Sequence, residues 1–434
     1  MNQPLTLFWF RRDLRLDDNV GFYEALRNED IVLPIFIFDT HILESLPEED
    51  ARVTFIYETI QTMRQTLENK HGSSLAVFHG HPLSVFKELI NTYTIKAVYT
   101  NHDYEPYARE RGQEIKALLD KHNIPFKTYK DHVIFEKEEL VKSDGTPYVV
   151  YTPYMKLWKQ TFKSHKLETY KTEDYFNNLI KINNAPNLAL NAIGFKKSLQ
   201  TISEYKVNPL LIQNYEATRN FPALDSTTRL GPHLRFGAVS IRKIIKMAIS
   251  ENNGIFLQEL IWREFFIQIL WHFPHTVTQS FKPQYDRIIW RNNEEEFKLW
   301  CQGNTGYPLV DAGMRQLNET GFMHNRIRML VGSFLCKHLL IDWRWGEAYF
   351  AEKLHDYEMA SNIGNWQWVA GCGVDAAPYF RIFNPTTQIE KFDKDLIYIK
   401  KWVPEFQELS YTKPIVDHAF ARERCLKVYK EALK

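Results

Sequence analysis

The chain has 434 residues, of which 44% are hydrophobic and 25% are charged. This composition is typical of a globular protein with two or three domains, and it excludes a disordered or fibrous chain. The formal net charge of +1 excludes a uniformly basic surface, so binding of nucleic acid would require a local cluster of basic side chains.

The cysteines are scattered and lack the CxxC spacing that is typical of zinc and redox sites. We therefore predict free, buried thiols in a reducing compartment, and no metal site. No apolar run is long enough to cross a bilayer, and the start of the chain has no signal-peptide pattern. We expect a cytoplasmic, monomeric protein without a membrane partner. The cysteines are Cys301, Cys336, Cys372 and Cys425.

Over residues 1–131, short apolar segments alternate with segments of helical periodicity. This alternation predicts a Rossmann-like, doubly wound parallel sheet. The first strand runs into FRRDLR and not into GxGxxG, so the usual dinucleotide-binding turn is absent. The predicted strands cover residues 5–10, 31–38, 75–80, 96–101 and 125–130, and the predicted helices lie near 18–29, 51–70, 83–92 and 105–122.

Residues 132–200 have weaker periodicity and several Pro, Gly and Asn residues, which predicts a long interdomain connector on the surface. Residues 201–434 are mostly helical in pattern. The predicted fold class is therefore α/β plus all-α, with an all-helical C-terminal domain.

Indoles, carboxylates and amides are concentrated in the C-terminal half. Nine of the eleven Trp residues lie between positions 262 and 402. Trp366 and Trp368 follow Asp356, Glu358 and Asn362 closely. This mixture is typical of a pocket for a flat aromatic ligand with polar edges, because apolar rings form the walls and a few polar groups orient the ligand.

Three further patterns each have a functional and an ordinary structural interpretation. The hydroxyls of residues 226–228 precede Gly231-Pro232, where a helix N-terminus could bind a diphosphate or could simply be capped. Glu259 and Trp262 are three residues apart and so share a helix face. They are either ligand contacts or the border between the polar and apolar faces of an amphipathic helix.

Arg326 and Arg328 are two residues apart and point in different directions. That arrangement suits a phosphate on one side and an internal carboxylate, for which Asp356 is a candidate, on the other. The alternative is a surface salt bridge, which contributes less than about 1 kcal/mol.

Long segments of the chain, in order from Leu5 to the last helix, resemble the DNA photolyase/cryptochrome family, and most closely its bacterial class I cyclobutane pyrimidine dimer photolyases. The resemblance implies an α/β antenna domain at 1–131, a connector at 132–200 and a helical FAD-binding catalytic domain at 201–434. The segments are FWFRRDLRLDDN, STTRLGPHLRFGAVS, ELIWREFF, NTGYPLVDAGMRQL, GFMHNRIRMLVGSFLCKHLLIDWRWGE and NWQWVAGCGVDAAPYFRIFNPTTQ.

The resemblance implies a bound FAD whose working form is the reduced anion FADH⁻. Asn362 would face flavin N5, where a neutral amide oxygen can accept from N5–H without adding a second negative charge. Arg328, paired with Asp356, would favour the anion. Gly231 stands where many members carry Ser. By motif match, the cofactor-binding residues would be Tyr215, Thr227, Thr228, Arg229, Leu230, Gly231, Phe256, Glu259, Arg263, Arg328, Asp356, Glu358 and Asn362.

The resemblance also implies UV-damaged DNA as the partner, with the damaged dinucleotide flipped out of the stack. Trp262 and Trp368 would form an L-shaped apolar wall against the dimer, and Met329 would fill the remaining gap. Glu259 and Asn325 would hydrogen-bond the pyrimidine edges. The implied catalytic residues are Glu259, Trp262, Asn325, Met329, Asn362 and Trp368, and the implied DNA contacts are Arg219, Trp262, Asn325, Arg326 and Arg381.

The implied activity is that of a light-driven carbon–carbon lyase. Excited FADH⁻ would pass an electron to the dimer, the two ring bonds would break, and the electron would return. Trp366, Trp343 and Trp290 match the indoles that relay electrons to the oxidised flavin in this family; by pattern alone each could equally be a core residue.

A second, antenna chromophore is an open expectation. Glu105 matches the carboxylate that folate-using members place against the pterin, whereas the nearest Lys, Lys282, is offset from the position such members use. A folate, a deazaflavin, a second flavin or no antenna at all therefore stay open.

Two other functions are compatible with the same flavin pocket. One is a blue-light signalling cryptochrome without repair activity, and the other is a cryptochrome that acts on single-stranded DNA. The joint presence of Glu259, Trp262, Asn325, Met329 and Trp368 favours repair, because a sensor has less need of a lesion-binding set.

Overall fold

The structure is a computed structural model that describes residues 3–182, 184–251 and 253–434. The chain forms two compact units that interleave along the sequence, and the predicted domain limits at 131 and 200 stay a prediction. The first unit comprises Met1–Glu139, Lys159–Tyr205 and Leu230–Ser250, and the second comprises Leu140–Trp158, Lys206–Arg229 and Glu251–Lys434.

The first unit contains the predicted parallel sheet, in the strand order β3-β2-β1-β4-β5. All four strand pairs are parallel. The order reverses between β1 and β4, so the carboxyl ends of these two strands border the switch-point crevice of the sheet. The strands are β1 (Leu5–Phe10), β2 (Val32–Asp39), β3 (Ala76–Gly80), β4 (Ile95–Asn101) and β5 (Phe126–Tyr129).

Strand β1 is buried along its whole length, because helices cover both faces of the sheet. Leu7 and Trp9 belong to the hydrophobic cluster on one face, and Phe8 and Phe10 belong to the cluster on the other. Alternate side chains of a strand point to opposite faces, and a parallel sheet covered on both sides gives the continuous apolar runs seen in the sequence. The predicted fold class is confirmed.

Helices occur in both units. Short 3₁₀ helices cover Lys137–Leu140, Thr172–Asn178, Leu190–Ile193, Pro274–Val277 and Pro283–Arg287, and a π-helix covers Phe334–His338. The α-helices are α1 (Val20–Asn28), α2 (Thr40–Leu43), α3 (Ala51–His71), α4 (Pro82–Thr92), α5 (Pro106–Lys121), α6 (Tyr151–Ser164), α7 (Pro209–Thr218), α8 (Gly231–Arg235), α9 (Ile241–Ser250), α10 (Gly254–His272), α11 (Glu294–Gln302), α12 (Pro308–Thr320), α13 (Asn325–Ser333), α14 (Trp343–Lys353), α15 (Met359–Ala370), α16 (Pro385–Phe392), α17 (Ile397–Trp402) and α18 (His418–Ala432).

A buried ion network joins the start of the first unit to α9. Arg15 Nη2 donates to both carboxylate oxygens of Asp131 at 2.7 Å, and Arg242 Nη2 donates to Asp131 Oδ1 at 2.8 Å. Arg242 also pairs with Asp18. The two guanidinium groups hold the pKa of Asp131 well below its ordinary value, although burial acts in the opposite direction.

Helix α6 lies within the predicted connector, where the sequence pattern indicated no helix. Tyr151, Tyr154 and Trp158 share one face at helical spacing and are buried. Trp158 Nε1 donates to Glu264 of α10 at 2.6 Å. The segment that begins α6 is therefore part of the core of the second unit and not a surface connector.

Close approach of helices in the second unit depends on two glycines. A Cβ on Gly364 of α15 would lie 2.2 Å from a ring carbon of Phe266 on α10. A Cβ on Gly346 of α14 would lie 2.1 Å from the Trp366 ring. Helix α15 therefore packs tightly between α10 and α14, and these helices supply much of the site below.

Within the described ranges all four thiols are free. Cys336, Cys372 and Cys425 are buried as predicted, whereas Cys301 is only half-buried. No His, Cys, Asp or Glu cluster in the described part of the chain has the arrangement of a metal site. Among the same residues, none of the helices has both the length and the apolar character needed to traverse a bilayer.

Candidate active site

The second unit contains a cavity of about 360 Å³. Its walls combine indole and phenyl rings with arginines, carboxylates and primary amides, which is the mixture that the sequence analysis assigned to a flat, polar-edged ligand. The lining residues are Arg219, Glu259, Trp262, Arg263, Phe266, Asn325, Arg328, Met329, Gly332, Phe350, Leu354, Asp356, Tyr357, Glu358, Ser361, Asn362, Asn365, Trp366, Trp368 and Val369.

The six residues implied to be catalytic all line this one cavity, although they come from α10, α13 and α15. Of the implied cofactor-binding residues, Arg263, Arg328, Asp356 and Glu358 also line it.

The remaining site predictions lie elsewhere. Phe256 and Tyr215 pack edge to face, with ring centroids 5.2 Å apart, and burial with the nearby Glu259 raises the pKa of Tyr215 to about 12. Leu230 and Gly231 belong to the first unit. The residues that do not line the cavity are Tyr215, Thr227, Thr228, Arg229, Leu230, Gly231, Phe256, Trp290, Arg326, Trp343, Arg381 and Glu105.

The indole of Trp262 is held by stacking against Tyr151. The two ring centroids are 3.6 Å apart and the planes differ by 7°. Phe266, one turn along α10, lies 5.4 Å away with its plane inclined by 28°. The Tyr151 hydroxyl donates to the backbone oxygen of Gln258 at 2.8 Å, which fixes the tyrosine ring. Tyr151 was missed because it lies in the predicted connector.

Glu259 forms an ion pair with Arg219, and both side chains line the cavity. Glu259 also raises the pKa of Tyr151, after the larger effect of burial. The pair places opposite charges next to Trp262.

Two further charged pairs bring opposite charges to the cavity lining. Arg263 Nε donates to Glu358 Oε2 at 3.1 Å. Arg328 Nη2 donates to Asp356 Oδ2 at 2.9 Å, as predicted, and its Nε donates to the Met323 carbonyl at 2.8 Å. The other carboxylate oxygen of Asp356 is buried without a partner among the described residues. A buried acceptor of this kind needs a donor from a ligand or from water.

Asn362 is buried in α15 and faces Glu347 of α14. Its amide nitrogen donates to the Glu347 carbonyl at 3.1 Å and to Glu347 Oε1 at 2.9 Å. Glu347 was not predicted as a site residue, because no motif spacing joins it to Asn362.

His324 caps α13, since its Nδ1 accepts from the Arg326 backbone N–H at 3.2 Å. Its Nε2 is buried without a partner in the described part of the chain. Burial, together with Arg328 and Arg326, lowers the pKa of His324 to about 4. The imidazole is therefore neutral at neutral pH, with its proton on Nε2.

Arg326 and Arg381 have no carboxylate partner in the described ranges. Arg326 donates to Asn220 Oδ1 at 2.5 Å and lies over the Phe392 ring at 4.5 Å. Burial, then the nearby Arg219 and Arg381, lowers the pKa of Arg326. Arg381 is exposed. These three arginines form a local basic cluster that the net charge of +1 conceals.

Trp366, Trp343 and Trp290 belong to one hydrophobic cluster. Trp366 and Trp343 are 3% and 1% exposed, whereas Trp290 is half-buried. Of these three indoles, only Trp290 is appreciably exposed. Trp290 also packs edge-on against Tyr429, with centroids 6.0 Å apart.

In the first unit, Glu105 is engaged in ion pairs. Its carboxylate accepts from Arg12 Nη1 at 2.9 Å and from Arg235 Nη2 at 3.3 Å. The crevice beside Arg12, at the carboxyl ends of β1 and β4, has a volume of about 10 Å³, which is room for about one water molecule.

Two family models match the chain. Residues 6–172 match the DNA photolyase model, and residues 256–412 match the FAD binding domain of DNA photolyase. A deoxyribodipyrimidine photo-lyase of Alkalihalophilus pseudofirmus is 34% identical, over 99% of this chain and 98% of the relative.

Solved structures agree with these matches. A bacterial class III photolyase from Agrobacterium tumefaciens superposes with a TM-score of 0.88 at 31% identity, covering 100% of this chain and 98% of the other. A cryptochrome from Synechocystis superposes with a TM-score of 0.86 at 25% identity, covering 99% of each chain. The fold alone therefore does not separate repair from sensing, but the similarity extends over the whole length. The chain belongs to the DNA photolyase family.

Proposed function

We propose that the protein is a light-driven DNA-repair enzyme that splits cyclobutane pyrimidine dimers with the help of bound FAD. The observation that carries this proposal is the single cavity lined by Glu259, Trp262, Asn325, Met329 and Trp368 together with Asn362. A pocket built only to sense light through its flavin has no need of two indoles, a carboxylate and an amide for a second aromatic ligand.

The residues of the second unit fit an FAD. Asp356 offers a buried acceptor oxygen that has no donor among the residues the structure describes. Arg328 beside it supplies a positive charge suited to an anionic ring. Arg263, paired with Glu358, would contribute to the same wall. When bound, FAD supplies light absorption and a transferable electron. The protein residues position and orient the cofactor and the substrate, and they exclude water from the site.

Trp262 and Trp368 provide apolar surface for a flipped-out pyrimidine pair. Glu259 and Asn325 would hydrogen-bond the pyrimidine edges, and the flexible Met329 would fill the space between. On this proposal, DNA phosphates bind to the cluster of Arg219, Arg326 and Arg381. These contacts fix the position of the protein along the duplex and do not depend on the base sequence. Neither a nucleophile nor a metal ion is part of the proposal. We infer cytoplasmic localisation and a monomeric state as well.

The test mixes the purified, photoreduced protein with an oligonucleotide that carries one thymine dimer, under blue light and in the dark. We expect light-dependent restoration of thymines. Trp368→Ala should reduce restoration by at least tenfold, since loss of a buried aromatic contact is worth more than about 1.4 kcal/mol. Trp402→Ala is the matched control, because Trp402 is also half-buried but lies outside the cavity.

A signalling cryptochrome is the competing function, and the same assay separates the two. A protein that binds FAD and photoreduces normally, yet restores no thymine in duplex or single-stranded DNA, would contradict the repair proposal. Restoration in single-stranded DNA alone would favour the third function considered from the sequence.

A further inference from the structure

One lysine of the second unit is enclosed in the core. Lys337 lies in the π-helix at Phe334–His338 and is 1% exposed. Among the residues that the structure describes, it is the one lysine that is buried. Burial lowers the pKa of its ammonium group to about 8. Since lysines are rarely buried without a partner, the contacts of this side chain show what it does.

The partner of Lys337 is a backbone oxygen and not a carboxylate. Its Nζ donates to the carbonyl of Arg381 at 2.8 Å. Three thiols lie near the ammonium group, those of Cys336, Cys372 and Cys425. Burial raises the pKa of each thiol, so none of them supplies a negative charge. The hydrogen bond to Arg381 is therefore the specific contact of this buried cation within the described ranges.

Arg381 lies in the loop of residues 371–384, which joins α15 to α16. The loop turns tightly here, because the Arg381 N–H donates to the Pro378 carbonyl at 2.9 Å. Tyr379 stacks on Tyr429 of α18, with ring centroids 5.8 Å apart and planes that differ by 12°. The Arg381 side chain is exposed. The loop thus presents its guanidinium group outward, while its backbone is bonded to the core.

The Lys337 contact connects this loop to the helix that carries part of the cavity lining. The π-helix continues α13 without a break, and α13 supplies Asn325 and Met329 to the cavity. A phosphate contact fixes the position of DNA only if its own position is fixed relative to the pocket for the base. A hydrogen bond from this helix to the Arg381 backbone provides such a connection.

We propose that Lys337 is a positioning residue for DNA binding, which holds the Arg381 backbone so that the Arg381 guanidinium meets a phosphate at a fixed place relative to the cavity. This inference rests on the proposed function. It deepens that function, because one phosphate contact is then set by a buried residue that does not line the cavity.

A role in stability alone leads to a different expectation. Met has nearly the length of Lys without its charge, and replacing a buried charge by an apolar side chain is often neutral or stabilising. The positioning role therefore predicts that Lys337→Met is as stable as the parent and binds DNA more weakly. A role in stability alone predicts a less stable protein whose folded molecules bind DNA with the parental affinity.

The experiment compares flavin-loaded parent, Lys337→Met, Lys337→Arg, Arg381→Ala and Lys427→Met. Fluorescence anisotropy measures the Kd for an oligonucleotide with one thymine dimer. We expect Lys337→Met to raise the Kd about two- to tenfold, the range for loss of one hydrogen bond, and to move its salt dependence toward that of Arg381→Ala. Thymine restoration at saturating DNA should be unchanged. Lys337→Arg keeps N–H donors and should retain the parental Kd, as should Lys427→Met, which removes an exposed lysine of α18.

A double-mutant cycle tests whether Lys337 acts through Arg381. In the Arg381→Ala background, Lys337→Met should have no further effect on the Kd, because no guanidinium is left to position. The same fold-change in both backgrounds would overturn the proposal. So would a parental Kd in Lys337→Met, or loss of its folding, which would assign Lys337 to stability. A parent that does not bind dimer-containing DNA would instead contradict the proposed function.

Discussion

Trp262 lies against Tyr151 with nearly parallel rings, so the orientation of one cavity wall depends on a residue more than a hundred positions earlier. Tyr151 is 5% exposed, and an indole without this neighbour would have space to rotate. Stacked aromatic pairs contribute about 0.5–1.5 kcal/mol beyond their burial. The position of a site residue is thus set partly by a residue that does not line the cavity.

We predict that Tyr151→Ala lowers the free energy of unfolding by about 3–5 kcal/mol, as for other buried aromatics, and weakens binding of dimer-containing DNA. Tyr151→Phe keeps the stack and loses only the hydrogen bond to Gln258, so it should cost about 1 kcal/mol. Chemical denaturation and fluorescence anisotropy measure the two effects. Identical DNA affinity for Tyr151→Ala, in protein still folded, would contradict the positioning role.

At the scale of elements, the tight packing of α15 on α10 depends on Gly364. Gly364→Ala would push a methyl group into Phe266, so we predict a loss of about 1–3 kcal/mol in the free energy of unfolding and a lower FAD content. Gly254→Ala is the matched control, since a Cβ there meets nothing within 4 Å. Thermal unfolding measures the stability, and flavin absorbance measures the FAD content. A Gly364→Ala protein with the stability and FAD content of the parent would contradict this prediction.

The N-cap of α13 predicts a dependence of stability on pH. The pKa of His324 is lowered to about 4 in the folded chain, against about 6.5 in an unfolded chain. The unfolded state therefore binds more protons between these values, and stability falls as the pH drops from about 6.5 toward 4, by up to about 1.4 kcal/mol per pH unit.

His324→Asn should reduce this dependence, because Asn keeps the cap and does not titrate. Denaturation midpoints between pH 7 and pH 4.5 test the prediction, with His122→Asn as a control at an exposed position. Equal slopes in His324→Asn and the parent would contradict it.

The sequence was sufficient to predict those secondary-structure elements whose residue pattern is local. The five strands appear where short apolar segments predicted them. In β1 and β2 the apolar run is nearly continuous, because both strands are buried at every position. Helix α6 was missed because Pro153 and the Gly-containing segment before it were interpreted as a break, although Pro is tolerated in the first helical turn.

Contacts between elements were not predictable in the same way. The cavity residues were named by resemblance, whereas the Glu347–Asn362 and Tyr151–Trp262 contacts depend on how helices pack. Gly346 and Gly364 were visible in the sequence, but their close neighbours were not.

At the scale of the whole molecule, a net charge of +1 gives weak long-range attraction to DNA. On the proposed function, we therefore expect the DNA phosphates to be bound by the cluster of Arg219, Arg326 and Arg381. Each phosphate contact contributes about −0.9 to the slope of log affinity against log salt. We predict a slope of about −3, reduced by about one unit in Arg381→Ala and unchanged in Lys116→Ala on the exposed face of α5. DNA titrations at several salt concentrations measure this slope. An unchanged slope in Arg381→Ala would show that Arg381 does not contact a phosphate.

The return of residues 230–250 to the first unit has a consequence for synthesis on the ribosome. The ion pair between Asp131 and Arg242 can form only after Arg242, 111 residues later in the chain, has been synthesised. At the usual rate of translation, this delay is roughly 6–22 seconds. Until then, the Asp131 carboxylate of the nascent α/β portion has Arg15 but lacks Arg242, the second of its two arginine partners. A truncated gene product that stops before residue 230 would keep this deficit permanently, and an isolated N-terminal fragment should therefore be prone to aggregation and proteolysis.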